Sequence, residues 1–164
     1  MRRIVMFALC LLLVLAGCGK KTADAGEQTG TVGVVNPVRS STAEEILEKD
    51  GVAMQLPAGA ENARWSRITM QETALAQVTF ELEGESLCFR AQKTAGPEDI
   101  SGMYYEWGQP EGGEVPADAP RCFVNETGQG VLLWYADGVS FSLSMSENAS
   151  ADILTAVYGE IAGA

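Results

Sequence analysis

Leu133-Trp134-Tyr135-Ala136-Asp137-Gly138-Val139-Ser140-Phe141-Ser142-Leu143 is the stretch on which the fold turns. Two runs rich in aromatic and large apolar residues flank Asp-Gly, the dipeptide that suits a two-residue hairpin because both central positions need φ > 0. After the turn, Val139, Phe141, Leu143 and Met145 alternate with Ser140, Ser142 and Ser144. Alternation of period two predicts a half-buried strand, with the apolar set on a core and the serines facing water. Arg121 to Asn125 and Val131 to Tyr135 make the preceding pair, with 126–130 between them.

The same period runs upstream. Ala76, Val78, Phe80 and Leu82 alternate with Gln77, Thr79, Glu81 and Glu83, and Glu83-Gly84-Glu85 supplies a turn. Leu87, Phe89 and Ala91 resume the apolar face, which sets Cys88 and Arg90 on the other. Arg64 to Gln71 reads as a strand, with Trp65, Arg67 and Thr69 on one side and Ile68 and Met70 on the other. Val52 to Pro57 predicts a brief strand and Met103 to Trp107 a further one, while Gln109 to Ala119, dense in Gly and Pro, predicts a loop.

Helices close both ends of this series. Ser41-Thr42-Ala43-Glu44 has the form of a capping box, and Gly51 stands where a C-cap glycine belongs, so a short helix is expected over about 42–49. A second is expected over about 149–162, capped by Asn148 or Ser150, with Ile153, Leu154, Val157 and Ile161 in one stripe. Strands in series between two helices predict an α+β fold. Its antiparallel, meandering sheet packs one face against the short N-terminal helix and the C-terminal helix.

The first residues carry a different signal. Arg2 and Arg3 precede an uncharged apolar run from Ile4 to Leu15, which closes on Leu15-Ala16-Gly17-Cys18. A positive start, an apolar stretch of about 7–15 residues and small residues at the cut mark an export signal. The run is short of the roughly 20 apolar residues that a membrane-spanning helix needs. Cysteine directly after Leu-Ala-Gly resembles the lipobox of bacterial lipoproteins. That resemblance implies a diacylglyceryl group on the Cys18 sulfur and cleavage before it, and a diacylated cysteine is the arrangement expected to hold permanently. The expected organisation is a signal peptide at 1–17, the lipidated cysteine and a Gly- and Thr-rich tether at 18–36, and one extracytoplasmic domain at 37–164. The expected address is the outer face of the cytoplasmic membrane.

Charge and residue usage narrow the function classes. The chain carries −11, and losing Arg2 and Arg3 takes it near −13. Nucleic acid is therefore an unfavourable partner. Lys20 and Lys21 sit beside the lipid, where anionic headgroups would attract them. Histidine is absent, which removes Ser-His and Cys-His nucleophilic catalysis and most zinc sites. The carboxylates show no calcium-loop spacing, so no metal and no cofactor is implied. Cys88 and Cys122 are an even pair outside the cytoplasm, open either to a disulfide or to two free thiols.

Asn36-Pro37, Pro57-Ala58-Gly59-Ala60-Glu61-Asn62, Asp99 to Trp107 and Leu133 to Leu143 together resemble small lipoproteins of gut Clostridia and related Gram-positive bacteria. The likeness covers about 36–162. It extends more loosely to the extracytoplasmic domain of anti-sigma-factor-like and sporulation-related membrane proteins. It implies topology and address, and brings no catalytic residue with it.

Tyr104, Glu106, Trp107, Trp134 and Tyr135, with Tyr105, form the candidate binding surface, where aromatics beside Glu106 and Asp137 would stack on sugar rings or grip a peptide. The competing reading puts Met103, Tyr105 and Trp107 in the core and leaves Tyr104 as the exposed member. Glu81, Glu83, Glu85 and Glu106 are candidates for a glycosidase pair, against a plain solvated sheet face. Ser140, Ser142 and Ser144 would need Lys49 or Lys93 as a base. Arg64, Arg67, Arg90 and Arg121 would hold an anion or else pair with the abundant carboxylates. The leading expectation is a non-enzymatic, lipid-anchored binding or interaction domain. The alternatives are a cell-wall or glycan hydrolase working through paired carboxylates, and an accessory or sensor subunit docked on a membrane protein.

Overall fold

The computed structural model describes residues 37–70 and 73–163. The expected export signal, the expected lipidation site Cys18 and the expected tether lie outside the described residues. Seven strands and two helices follow in the order β1 (Val38–Ser40), α1 (Ala43–Asp50), β2 (Glu61–Met70), β3 (Thr73–Leu82), β4 (Glu85–Lys93), β5 (Arg121–Val124), β6 (Gly130–Ala136), β7 (Val139–Met145) and α2 (Ala151–Ala162). All pairings are antiparallel, in one sheet of order β1-β2-β3-β4-β7-β6-β5. The fold is α+β.

The turns that were legible in the sequence form as chemistry requires. Asp137 and Gly138 both take positive φ (51° and 78°), and so do Glu83 and Gly84 (54° and 87°). A two-residue loop of this kind twists with its strands, and it fixes the register Ala136↔Val139, Tyr135↔Ser140, Trp134↔Phe141. The sheet is not a single meander, however. After β4 the chain crosses residues 94–120 to the far edge and returns through β5 and β6, so that β7 docks on β4.

Register divides the sheet into two distinct faces. One row across it reads Trp65, Val78, Phe89, Leu143, Leu132, Cys122. Ile46 of α1, Leu154 and Val157 of α2, and Val52 and Met54 between α1 and β2 belong to the same buried cluster. Both helices therefore pack on this face. Ile46, Val78, Leu143 and Leu154 are 0% exposed, and each such burial contributes about 1.5–3 kcal/mol.

The opposite face carries the row Ser40, Ser66, Gln77, Arg90, Ser142, Leu133, Arg121. The connection 94–120 covers it. Arg90 Nη1 donates to the carbonyls of Ile100 and Ser101, and its Nε donates to Gln77 Oε1 at 2.8 Å. Met103 and Trp107 pack on Phe123, Val131 and Leu133. Ser140, Ser142 and Ser144, expected in water, are buried beneath this strap because the long connection folds back over them. A small side chain allows such close approach.

Three further expectations change. Met103 to Trp107 is not a strand. Gly102 at φ 68° breaks the extension, and Asp99 Oδ1 turns the chain by accepting from Ser101 N. Val52 to Leu56 keeps an alternating buried and exposed pattern but pairs with no strand among the described residues. The helix cap falls on Thr42 rather than Ser41: Thr42 Oγ1 accepts from Glu45 N at 3.2 Å, and Ser41 Oγ instead reaches Glu45 Oε2. Gly51 caps α1 in the left-handed region, and Ser150 caps α2.

Candidate functional site

Trp134 sits on the helix-packed face, directly across from Phe141 in the hairpin register. Their rings stack at 5.0 Å and 9°. Phe89 on β4 lies diagonally beyond, 5.6 Å from Trp134 and 6.1 Å from Phe141. Tyr158, one turn after Leu154 on α2, meets Trp134 edge-on at 5.1 Å. Four rings from three strands and a helix thus form one group, and offset or edge-on contacts suit their quadrupoles.

A cleft of about 410 Å³ opens against this group. Ala53 and Gln55 line it from the segment after α1, and Asp118 and Pro120 from the end of the connection. Tyr158, Ile161 and Ala162 contribute the last turns of α2. Tyr135 and Ala136 complete the wall at the hairpin end. That size lies within the range of small-molecule sites, which are typically about 300–1,000 Å³ and mostly apolar. Among the described residues Asp118 is the one carboxylate in the wall, and no lysine or arginine lines it. The paired-carboxylate reading therefore lacks a second acid in this cleft.

The candidate surface read from sequence is split by the sheet. Trp134 and Tyr135 line the cleft, whereas Tyr104, Glu106 and Trp107 lie on the strap across the opposite face. Trp107 meets Phe123 at 5.9 Å with a 33° tilt and Tyr105 lies 5.5 Å from Trp107, while Tyr104 is 99% exposed. Phe89, Phe141, Tyr158, Gln55 and Asp118 were not singled out in the sequence. Phe141 alone had a local signal, because the Asp-Gly turn dictates its pairing with Trp134.

The other candidates are engaged elsewhere. Cys88 and Cys122 are free thiols. They project from opposite faces, on strands separated by β7 and β6. Three strand spacings make about 14 Å, twice the roughly 7 Å Cα limit of a disulfide. Burial raises both thiol pKa values; Cys122 is pushed up to about 11, with the Glu111 charge adding to the effect. Ser140 Oγ lies 2.7 Å from Thr94 Oγ1 and accepts from Glu98 N at 3.0 Å. Lys49 pairs with Glu45, and Lys93 follows the helix-packed face by register, so among the described residues no serine on the strap face meets a lysine base. Arg67 grips Asp50 through Nε and Nη2 at 2.6–3.0 Å, while Arg90 holds the strap. Glu81 accepts from Asn62 and Glu85 from Asn148. Ser142 Oγ, Arg121 Nε and Trp107 Nε1 are buried without a partner among the described residues, all on the strap side.

No family model, curated protein or solved structure matches the chain. Among the described residues no helix is long and apolar enough to cross a membrane, and no group of His, Cys, Asp and Glu is placed to hold a metal.

Proposed function

We propose that this protein is a membrane-tethered extracytoplasmic binding module, lipidated on Cys18, which presents the Trp134 cleft to a small ligand. The observation that carries the binding half is the cleft itself: an opening of about 410 Å³ walled by rings that a closed core would have sealed. Aromatic walls supply contact area at little conformational cost, because a ring has only two side-chain torsions to fix. The anchor half rests on Arg2-Arg3, the apolar run and Leu-Ala-Gly-Cys.

Each half has its own test. Cys18→Ala should move the protein from the membrane fraction to the medium, and retention on membranes would refute the anchor. A ligand screen on the full chain in uncharged detergent, read by calorimetry, should find compounds whose affinity falls at least tenfold in Phe141→Leu. Hits indifferent to Phe141 would place binding outside the cleft. A second reading, docking on a partner membrane protein, is supported by the adjacent exposed pair Tyr104 and Tyr105 on the strap. Photo-crosslinking from position 104 in cells tests it, and crosslinks confined to this chain would count against it.

A further inference from the structure

We infer that the Trp134 cleft selects an organic cation with an apolar body, such as a tetraalkylammonium or a protonated alkylamine. The inference rests on the binding-module reading and adds the ligand's charge. Four features of one site point the same way. Phe89, Trp134, Tyr135, Phe141 and Tyr158 line it, and aromatic rings attract cations through their quadrupoles. Among the described residues the only charged side chain in the wall is the Asp118 carboxylate, with no lysine or arginine to oppose a positive ligand.

The third feature is the end of α2. Its last turns supply Tyr158, Ile161 and Ala162 to the wall, and no basic side chain occupies its last turn. A helix C-terminus carries about half a negative charge on its unpaired carbonyls, a position that favours cations. The fourth is the acidity of the whole chain, −11, which raises the local concentration of cations around any open cleft.

Other ligand charges fit less well. An anion would meet the Asp118 carboxylate and the helix end with nothing to neutralise it. A free sugar needs several hydrogen-bonding groups around its ring, and outside the backbone, the two tyrosines and the Trp134 indole N–H the described lining supplies them only from Gln55 and Asp118. Between apolar walls and an acidic rim, a cation that sheds its hydration easily is the better match.

The test compares ligands of equal shape and different charge. The full chain in uncharged detergent at low ionic strength is titrated with choline, with its neutral carbon isostere 3,3-dimethylbutan-1-ol, and with glucose, followed by calorimetry. Choline should bind at least tenfold tighter than the isostere. Asp118→Asn, at an exposed loop position that leaves the fold alone, should remove most of that preference, and Asp118→Glu should restore it. Isostere binding as tight as choline, with Asp118→Asn without effect, would overturn the cation inference and leave the cleft a neutral-ligand site. Failure of all probes to bind at millimolar concentration would overturn the inference and remove the support it draws from the cleft. Choline binding unchanged in Phe141→Leu would place the cation elsewhere and overturn it as well.

Discussion

Ser140 and Ser142 offer a controlled pair for testing how the strap face is held. They lie two residues apart on β7, share one face, and are both 0% exposed. Alanine removes the same oxygen from each. At Ser140 that oxygen receives the Glu98 amide at 3.0 Å and exchanges a hydrogen bond with Thr94 Oγ1. Losing it strips the Glu98 N–H of its acceptor, and a half-broken buried bond costs about 1–3 kcal/mol. At Ser142 the oxygen has no partner among the described residues. Its register neighbours are Arg90, which only donates and is committed to Gln77 and the strap carbonyls, and Leu133, which offers nothing. A buried hydroxyl without a bond carries a penalty of about 1–3 kcal/mol by protein mutational data. Alanine lifts that penalty and loses only slight packing, for a net gain of about 1 kcal/mol. The two variants should therefore differ by about 2–4 kcal/mol with opposite signs. Urea unfolding of the full chain, followed by tryptophan fluorescence, reads this directly. With m of about 2 kcal/mol/M the midpoints should separate by about 1–2 M at unchanged slope. Equal destabilisation by both substitutions would refute the reasoning, since it would mean that Ser142 is satisfied and the strap is not dry beneath its centre.

Three further outcomes follow from the same architecture. Mass spectrometry of unreduced protein should show Cys88 and Cys122 as free thiols, with slow alkylation at pH 8; a two-hydrogen mass deficit or rapid labelling would contradict their placement. The Cys122 thiol has a folded pKa of about 11 against an ordinary value of 9.0. The unfolded chain thus loses its proton first, so stability should hold below about pH 9 and fall as pH rises toward 11. Cys122→Ser should flatten that decline, and an unchanged slope would assign it to other groups. Arg90→Met keeps the aliphatic stem but frees the carbonyls of Ile100 and Ser101. Chymotryptic cleavage at Tyr104 and Tyr105 should then accelerate severalfold under native conditions, and an unchanged rate would show that Arg90 does not hold the strap.

Much of the fold could be read locally because hairpins encode themselves locally. Asp137-Gly138 and Glu83-Gly84 adopt the left-handed pair that their side chains permit, and the period-two alternation on β3, β4 and β7 places the correct residues on the helix-packed face. Thr42 and Ser41 illustrate the limit of local reading. Both can cap a helix, and the choice fell to Thr42 because the Ser41 amide is drawn into the sheet by Trp65 O. Trp134 shows the same limit at the site. Its neighbour Phe141 follows from the turn, but Phe89, Tyr158 and Asp118 are remote in sequence and reach it only through the β4–β7 pairing and the docking of α2.

What the sequence by itself determined is therefore the α+β class, the turns at Glu83-Gly84 and Asp137-Gly138, and the helix-packed sets of β3, β4 and β7. These depend on short-range rules: side-chain periodicity and φ preferences. What only the tertiary structure decided is the fate of the other face and the composition of the cleft. Alternation states that Ser140, Ser142 and Ser144 share a side of β7, and it cannot state what covers them. That depends on where residues 94–120 return, a long-range placement set by Arg90 and the Phe123, Val131 and Leu133 cluster. For the same reason Met103 to Trp107, strand-like in pattern, became a strap: a pattern of alternation makes a strand only where a free edge receives it.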